Sequence, residues 1–221
     1  MATSSQQLKS LKDKVIKILK IFEAQNPHPT TELHYRNHYE LLVAVILSAQ
    51  CTDKRVNEIT PQLFKKYPDF QSLANATIED VYQLIKSCSY PNNKSKNLVA
   101  MAQAIVNQHN GQIPQSLDEL VKIPGIGRKT ANVILSVAFD KPALAVDTHV
   151  FRVSARIGLT KNARTPEQTE EQLLKVIPEK YLSRAHHWLI LHGRYTCTAR
   201  NPKCDTCIIN NYCDYFKQNK K

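Results

Sequence analysis

"IPGIGRKTANVI", Ile123 to Ile134, holds two of the chain's five glycines, then two basic residues, then an apolar run with helical spacing. Leu117 to Val121 reads as one short helix ahead of it. Pro124 stops that helix, because its ring and its missing N–H prevent continuation. Gly125 and Gly127 permit backbone angles that a β-carbon resists and let another backbone approach closely. Between them Ile126 is placed to plug the core and fix the turn, and Arg128 opens a second helix. The stretch therefore predicts a pair of helices joined by a tight turn, over residues 117–136. Such a turn aims successive main-chain N–H groups outward at a helix start, where the dipole also favours an anion. A corner between packed helices would explain the glycines equally well. A cradle for one phosphate, with the Lys129 amine at its edge, also explains the basic residues.

Outward from this hairpin, helix signals dominate. Thr77-x-x-Asp80, Ser116-x-x-Glu119 and Thr165-Pro166-x-Gln168 resemble N-terminal caps, each ahead of apolar residues at three- and four-residue spacing. Asn37 to Ala49 is the most apolar helix candidate and is expected at the centre of a core. Further helices are expected at Ser95–His109, Arg128–Phe139, Thr148–Ile157 and Tyr181–Tyr195. Loops are expected at Ala24–Thr31, Ser89–Asn93, Phe139–Ala143 and Thr160–Arg164. No alternating run is long enough to read as a strand, so the fold class is all-α, with about ten helices. No repeat of solenoid period and no low-complexity segment interrupts it.

Thirty Lys and Arg against nineteen Asp and Glu leave a net charge of +11, which favours a polyanionic partner, nucleic acid before anionic membrane. The longest apolar run, Leu41 to Leu47, is far short of the roughly 20 residues that cross a bilayer. At the N-terminus, Leu8, Leu11, Val15, Ile18, Leu19 and Phe22 fall at helical spacing with lysines on the other faces. A membrane-surface helix has that pattern, and so does a terminal helix docked on a domain. With no secretion signal the chain is expected in the cytoplasm, associated with the nucleoid in a prokaryote, where thiols stay reduced.

Four of the six cysteines, Cys197, Cys204, Cys207 and Cys213, crowd into "CTARNPKCDTCIINNYC". Four thiolates this close in sequence suit zinc or an iron–sulfur cluster. Zinc ribbons more often show two C-x2-C pairs, and here only one pair is so close. Arg194, Arg200 and Lys203 accompany the loop and are placed to meet a phosphate backbone, while Cys51 and Cys88 read as ordinary buried thiols.

The hairpin closely resembles the helix-hairpin-helix motif of DNA repair proteins. The 6-2-5 cysteine spacing resembles the [4Fe–4S] loop of endonuclease III-like DNA glycosylases. "AVDTHVFRVSARIG" (Ala145–Gly158), "LSAQCTD" (Leu47–Asp53) and "HHWLILHGRYTC" (His186–Cys197) extend the resemblance over nearly the whole chain. It implies a two-lobed all-α fold. Residues 27–138 would form a six-helix lobe with the hairpin, and residues 1–26 with 139–221 a discontinuous lobe ending in the cluster loop, 197–213. It implies a base-excision enzyme for duplex DNA that removes oxidised or damaged pyrimidines and cleaves the abasic site 3′ to the lesion, acting as a monomer.

By the same resemblance Lys129 is the nucleophile. Its amine must be neutral to attack the sugar, which a helix N-terminus and the cationic neighbour Arg128 favour. Asp147 is its partner and assists departure of the base; equally, an Asp before "THVFRV" is a good helix N-cap. Gly125, Ile126, Gly127 and Arg128 contact the DNA backbone. Gln50 and Tyr90 match the residues that fill the gap left by the extruded nucleotide, although "SYPN" departs from the Gly-Leu-Tyr-Asn of many relatives. Cys197, Cys204, Cys207 and Cys213 hold the cluster. Adenine-mismatch glycosylases share the fold, but they usually place a small hydroxyl residue where Lys129 stands and carry a further C-terminal domain. A non-catalytic hairpin module stapled by zinc would have no need of both Lys129 and Asp147.

Overall fold

A computed structural model describes residues 4–219, and among them every regular element is helical: twelve α-helices and two short 3-10 turns. The chain divides into two compact units. Glu32–Asp140 forms a continuous one, and the segments through Thr31 and from Lys141 form a discontinuous one. The sequence placed these breaks after residues 26 and 138. Just past the first helix, the Asn26 carbonyl accepts a 2.8 Å hydrogen bond from Trp188 Nε1 of the same unit.

In chain order the first helix, α1 (Ser4–Gln25), belongs to the discontinuous unit. The continuous unit follows with α2 (His38–Ser48), α3 (Asp53–Lys66), α4 (Phe70–Ala74), α5 (Ile78–Ile85), α6 (Pro91–His109), α7 (Leu117–Leu120) and α8 (Arg128–Phe139). These are seven helices, not six; the short α4 owes its existence to a reciprocal cap, in which Asp69 accepts from the Ser72 N–H at 2.7 Å and Ser72 Oγ receives the Asp69 N–H. α2 is buried from Tyr39 to Leu47 on all faces, as a helix apolar all round must be, and α3, α6 and α8 pack round it. Tyr39 tilts edge-on to Phe70 at 4.9 Å and donates its hydroxyl to Tyr67 O at 2.7 Å, so the one polar atom it carries inward is satisfied.

The three predicted caps are present: Thr77, Ser116 and Thr165 accept from the N–H groups of Asp80, Glu119 and Gln168. One expected loop is not a loop. α6 starts at Pro91 rather than Ser95, because proline at a first helical position loses no hydrogen bond and its fixed φ suits the helix.

The discontinuous unit continues with α9 (Thr148–Ile157), α10 (Pro166–Val176), α11 (Leu182–Tyr195) and α12 (Asp214–Asn219). α1 docks here as an ordinary terminal helix. Val15, Ile18, Leu19 and Phe22 are buried with Val150, Val153, Leu173 and Trp188. Leu8, counted in the same stripe from sequence, is 44% exposed, so the stripe packs from Leu11 onward. Lys14 Nζ donates to Ile157 O at 2.6 Å and pairs with Asp214 at 2.7 Å, joining α1, α9 and α12. Among the described residues no helix is long and apolar enough to cross a membrane.

Candidate functional site

The hairpin has the predicted form. α7 ends at Leu120, Ile126 N–H donates back to Ile123 O at 3.1 Å, and α8 starts at Arg128. Ile126 is buried, as a plug should be. The two glycines differ in kind. Gly125 has φ +79, and a Cβ there would stand 2.8 Å from Asn97 Cβ on α6, so both its conformation and its packing need glycine. Gly127 is extended, with φ −86, and a Cβ there would meet nothing within 4 Å. Nothing inside the chain requires glycine at this position. It is exposed, it caps α8 without a side chain, and the first turn of α8 carries no acidic residue. The result is an open helix N-terminus with Arg128 and Lys129 as its first two residues, a surface suited to close approach by a phosphate. Lys129 itself is exposed.

Asp147, in the discontinuous unit, is the N-cap of α9. Its Oδ1 accepts from His149 N–H at 2.9 Å and Val150 N–H at 2.8 Å. Both cap bonds fall on one oxygen, which fixes the carboxylate and leaves Oδ2 directed elsewhere. His149 is packed under Gly193 of α11, where a Cβ would stand 2.8 Å from His149 Cβ, and its Nδ1 lies 3.2 Å from Arg152 Nη2.

Gln50 and Tyr90 share the continuous unit and an unusual backbone: each has φ +55, the left-handed region that non-glycine residues rarely occupy. Gln50 follows the end of α2, and Tyr90, 61% exposed, precedes α6. Sequence reasoning missed the residue that touches both loops, Lys94. It is 6% exposed, and Nζ donates to Leu47 O at 2.8 Å, to Ala49 O at 2.7 Å and to Cys88 Sγ at 3.2 Å. A lysine in "NNKSKN" gives no sign in sequence of being buried.

The four clustered cysteines line one cavity with Ile157, His192 and Ile209 around them. Tight turns bring them there: Cys207 N–H donates to Cys204 O, and Cys213 N–H to Asn210 O. Burial and the neighbouring Cys197 and Cys213 sulfurs hold the Cys204 thiol above its ordinary range, and burial does the same for Cys207. Such a group of sulfurs becomes comfortable as thiolates only around positive charge. Among the described residues no three His, Cys, Asp or Glu side chains converge as a single metal ion demands. A cubane asks for something else, one thiolate on each of four irons spread round the cluster, and sulfurs arrayed about a cavity fit that donor set. Arg152 and Arg156, one turn apart on α9, fasten the loop's first strand of chain: Arg152 Nη2 donates to Cys197 O at 3.1 Å, and Arg156 to Thr198 O at 2.7 Å and Ala199 O at 2.8 Å. Their i, i+4 spacing was visible in sequence, but nothing there said what they would hold. Arg200 and Lys203 are exposed, as a role against a phosphate backbone requires.

Comparison with known proteins agrees with this geometry. Residues 43–179 match the HhH-GPD superfamily of base excision DNA repair proteins, and residues 197–213 match the iron-sulfur binding domain of endonuclease III. Endonuclease III of Rickettsia conorii is 50% identical over 202 residues, covering 91% of this chain and 96% of the relative. Endonuclease III of Escherichia coli K12 is 45% identical over 204 residues, covering 92% and 96%. Among solved structures, a trapped endonuclease III–DNA covalent intermediate superposes with a TM-score of 0.89 at 39% identity, covering all of both chains.

Proposed function

The chain belongs to the endonuclease III family, within the HhH-GPD superfamily of base excision DNA repair proteins, and from that premise we propose which residues carry its chemistry and on what substrate. It is a DNA-binding glycosylase and abasic-site lyase with a [4Fe–4S] cluster. The substrate is duplex DNA containing an oxidised or otherwise damaged pyrimidine, or the abasic site that its removal leaves. The protein works as a monomer in the cytoplasm, and its net charge of +11 supports both self-repulsion and nucleic-acid attraction.

Lys129 Nζ is the nucleophile. The bond between C1′ and the base breaks with its electron pair leaving on the base, while the amine lone pair forms a new bond to C1′. Asp147 stabilises the positive charge that develops on the sugar and accepts the proton that the amine must lose. Opening of the sugar ring gives an imine, whose charge acidifies the C2′ proton. Loss of that proton expels the 3′ phosphate, which cuts the strand. Gly125, Ile126, Gly127 and Arg128 seat one backbone phosphate at the head of α8. Gln50 and Tyr90 fill the space vacated when the damaged nucleotide leaves the stack. Cys197, Cys204, Cys207 and Cys213 hold the cluster, which when bound ties the chain from 197 to 213 into one closed loop.

One observation carries this reading: Lys129 stands in the first turn of a helix capped only by glycine, in a chain matched end to end by a relative that was captured covalently on DNA. The test is borohydride trapping with duplex DNA carrying an oxidised pyrimidine. Wild-type protein is expected to give a covalent adduct and Lys129→Ala none. An adduct undiminished in Lys129→Ala would assign the nucleophile elsewhere.

A further inference from the structure

Two exposed loops of the continuous unit, one ending α2 at Gln50 and one opening α6 at Tyr90, hold strained left-handed residues next to each other's anchorage. A non-glycine residue persists in that conformation only where its surroundings over-determine it. The surroundings here converge on one side chain. Lys94 sits in the first turn of α6, and its main-chain N–H donates to Tyr90 O at 3.1 Å. Its Nζ reaches across to α2 and donates to Leu47 O and Ala49 O, the carbonyls on either side of Ser48, the last residue of α2. The third contact, to Cys88 Sγ, holds the segment that leads into Tyr90. An ammonium has three protons, and these are three acceptors. Leu47 O and Ala49 O belong to a helix C-terminus, where carbonyls lack intrahelical donors and a cation is favoured.

We propose that Lys94 is a positioning residue for base extrusion: it clamps the Gln50 loop to the Tyr90 loop so that both side chains enter the DNA gap as one rigid unit. A solvated lysine would leave each loop free to relax out of its φ +55 conformation independently. The inference rests on the reading that Gln50 and Tyr90 are the inserted residues, and the test separates the two.

The measurement compares two substrates under single turnover. The first is duplex DNA with a damaged pyrimidine, where a gap must be filled. The second is a single-stranded oligonucleotide with an abasic site, scored by borohydride trapping, where no partner strand leaves a gap. Lys94→Met keeps the length of the side chain and removes its donors. It is expected to lose about tenfold in rate on the duplex while staying within about twofold on the single strand. Cys88→Ala, which leaves the two α2 contacts in place, guards against a folding defect in Lys94→Met and is expected to show the same split at smaller size. Combining Lys94→Met with Tyr90→Ala is expected to cost little more than the worse single change, because both act through one insertion step.

Equal losses on both substrates, or additive losses in the double variant, would overturn the clamp and leave Lys94 a packing residue. Gln50→Ala and Tyr90→Ala test the underlying reading. If they show the split and Lys94→Met does not, the clamp is wrong and the insertion reading stands; if neither shows it, the insertion reading falls and the clamp with it.

Discussion

At the scale of single residues, similar letters carry different burdens. Gly125 and Gly127 look equivalent in "IPGIGRK", yet only Gly125 is demanded by the fold. Gly125→Ala is expected to destabilise the protein by about 1–3 kcal/mol, since it combines a left-handed φ with a collision against Asn97. Gly127→Ala is expected to leave the unfolding midpoint almost unchanged while weakening DNA binding, because its missing Cβ faces open space. Thermal melts and binding titrations of the two variants check the contrast. Asp147 can be dissected in the same way. Asn caps a helix about as well as Asp, so Asp147→Asn should cost under about 0.5 kcal/mol of stability, whereas Asp147→Ala should cost about 1 kcal/mol. Both should abolish most excision, if the carboxylate charge rather than the cap carries the chemistry. Excision by Asp147→Asn at the wild-type rate would reduce Asp147 to a cap.

At the scale of elements, much of the fold was legible and for a stated reason. Caps, proline positions and apolar spacing are local, so Thr77, Ser116, Thr165 and Asp147 all marked real helix starts. The start of α6 was misplaced because Pro91 reads as a breaker unless it is recognised as a first helical residue. The four cysteines were legible because their spacing is a pattern of rare residues. The residues that hold sites in place were not. Lys94, Arg152 and Arg156 act on main-chain carbonyls that lie between 41 and 47 positions away. A carbonyl is present at every residue, so no letter in the sequence announces such a partner.

At the scale of the whole molecule, stability is linked to pH through a buried histidine of the discontinuous unit. His187 is 7% exposed on α11, and burial, aided by His186, pushes it down to about 3. Its folded value lies below the ordinary value of 6.5, so between pH 6.5 and about 3 the unfolded chain binds the extra proton. Stability from this group is therefore complete above pH 6.5 and is lost as the pH falls, with a slope of up to about 1.4 kcal/mol per pH unit. Denaturant melts of wild type and His187→Gln across that range should diverge in slope, the variant being flatter. Parallel slopes would remove His187 from the linkage.

The ion pair from Lys14 to Asp214, with Lys14 also holding the end of α9, sets an order of events during synthesis. The continuous unit has its full complement of residues once Asp140 has left the ribosome. The discontinuous unit must wait for Asp214, a further 74 residues (214 − 140). At 5–20 residues per second that is about 4–15 s, during which α1 has been made but its docking surface has not. Until that segment is made, the apolar face of α1 lacks the α9, α10 and α11 residues it packs against. The cysteine loop, 197–213, belongs to that later-made segment, so its four thiols can meet a cluster only after every residue of the continuous unit has been made.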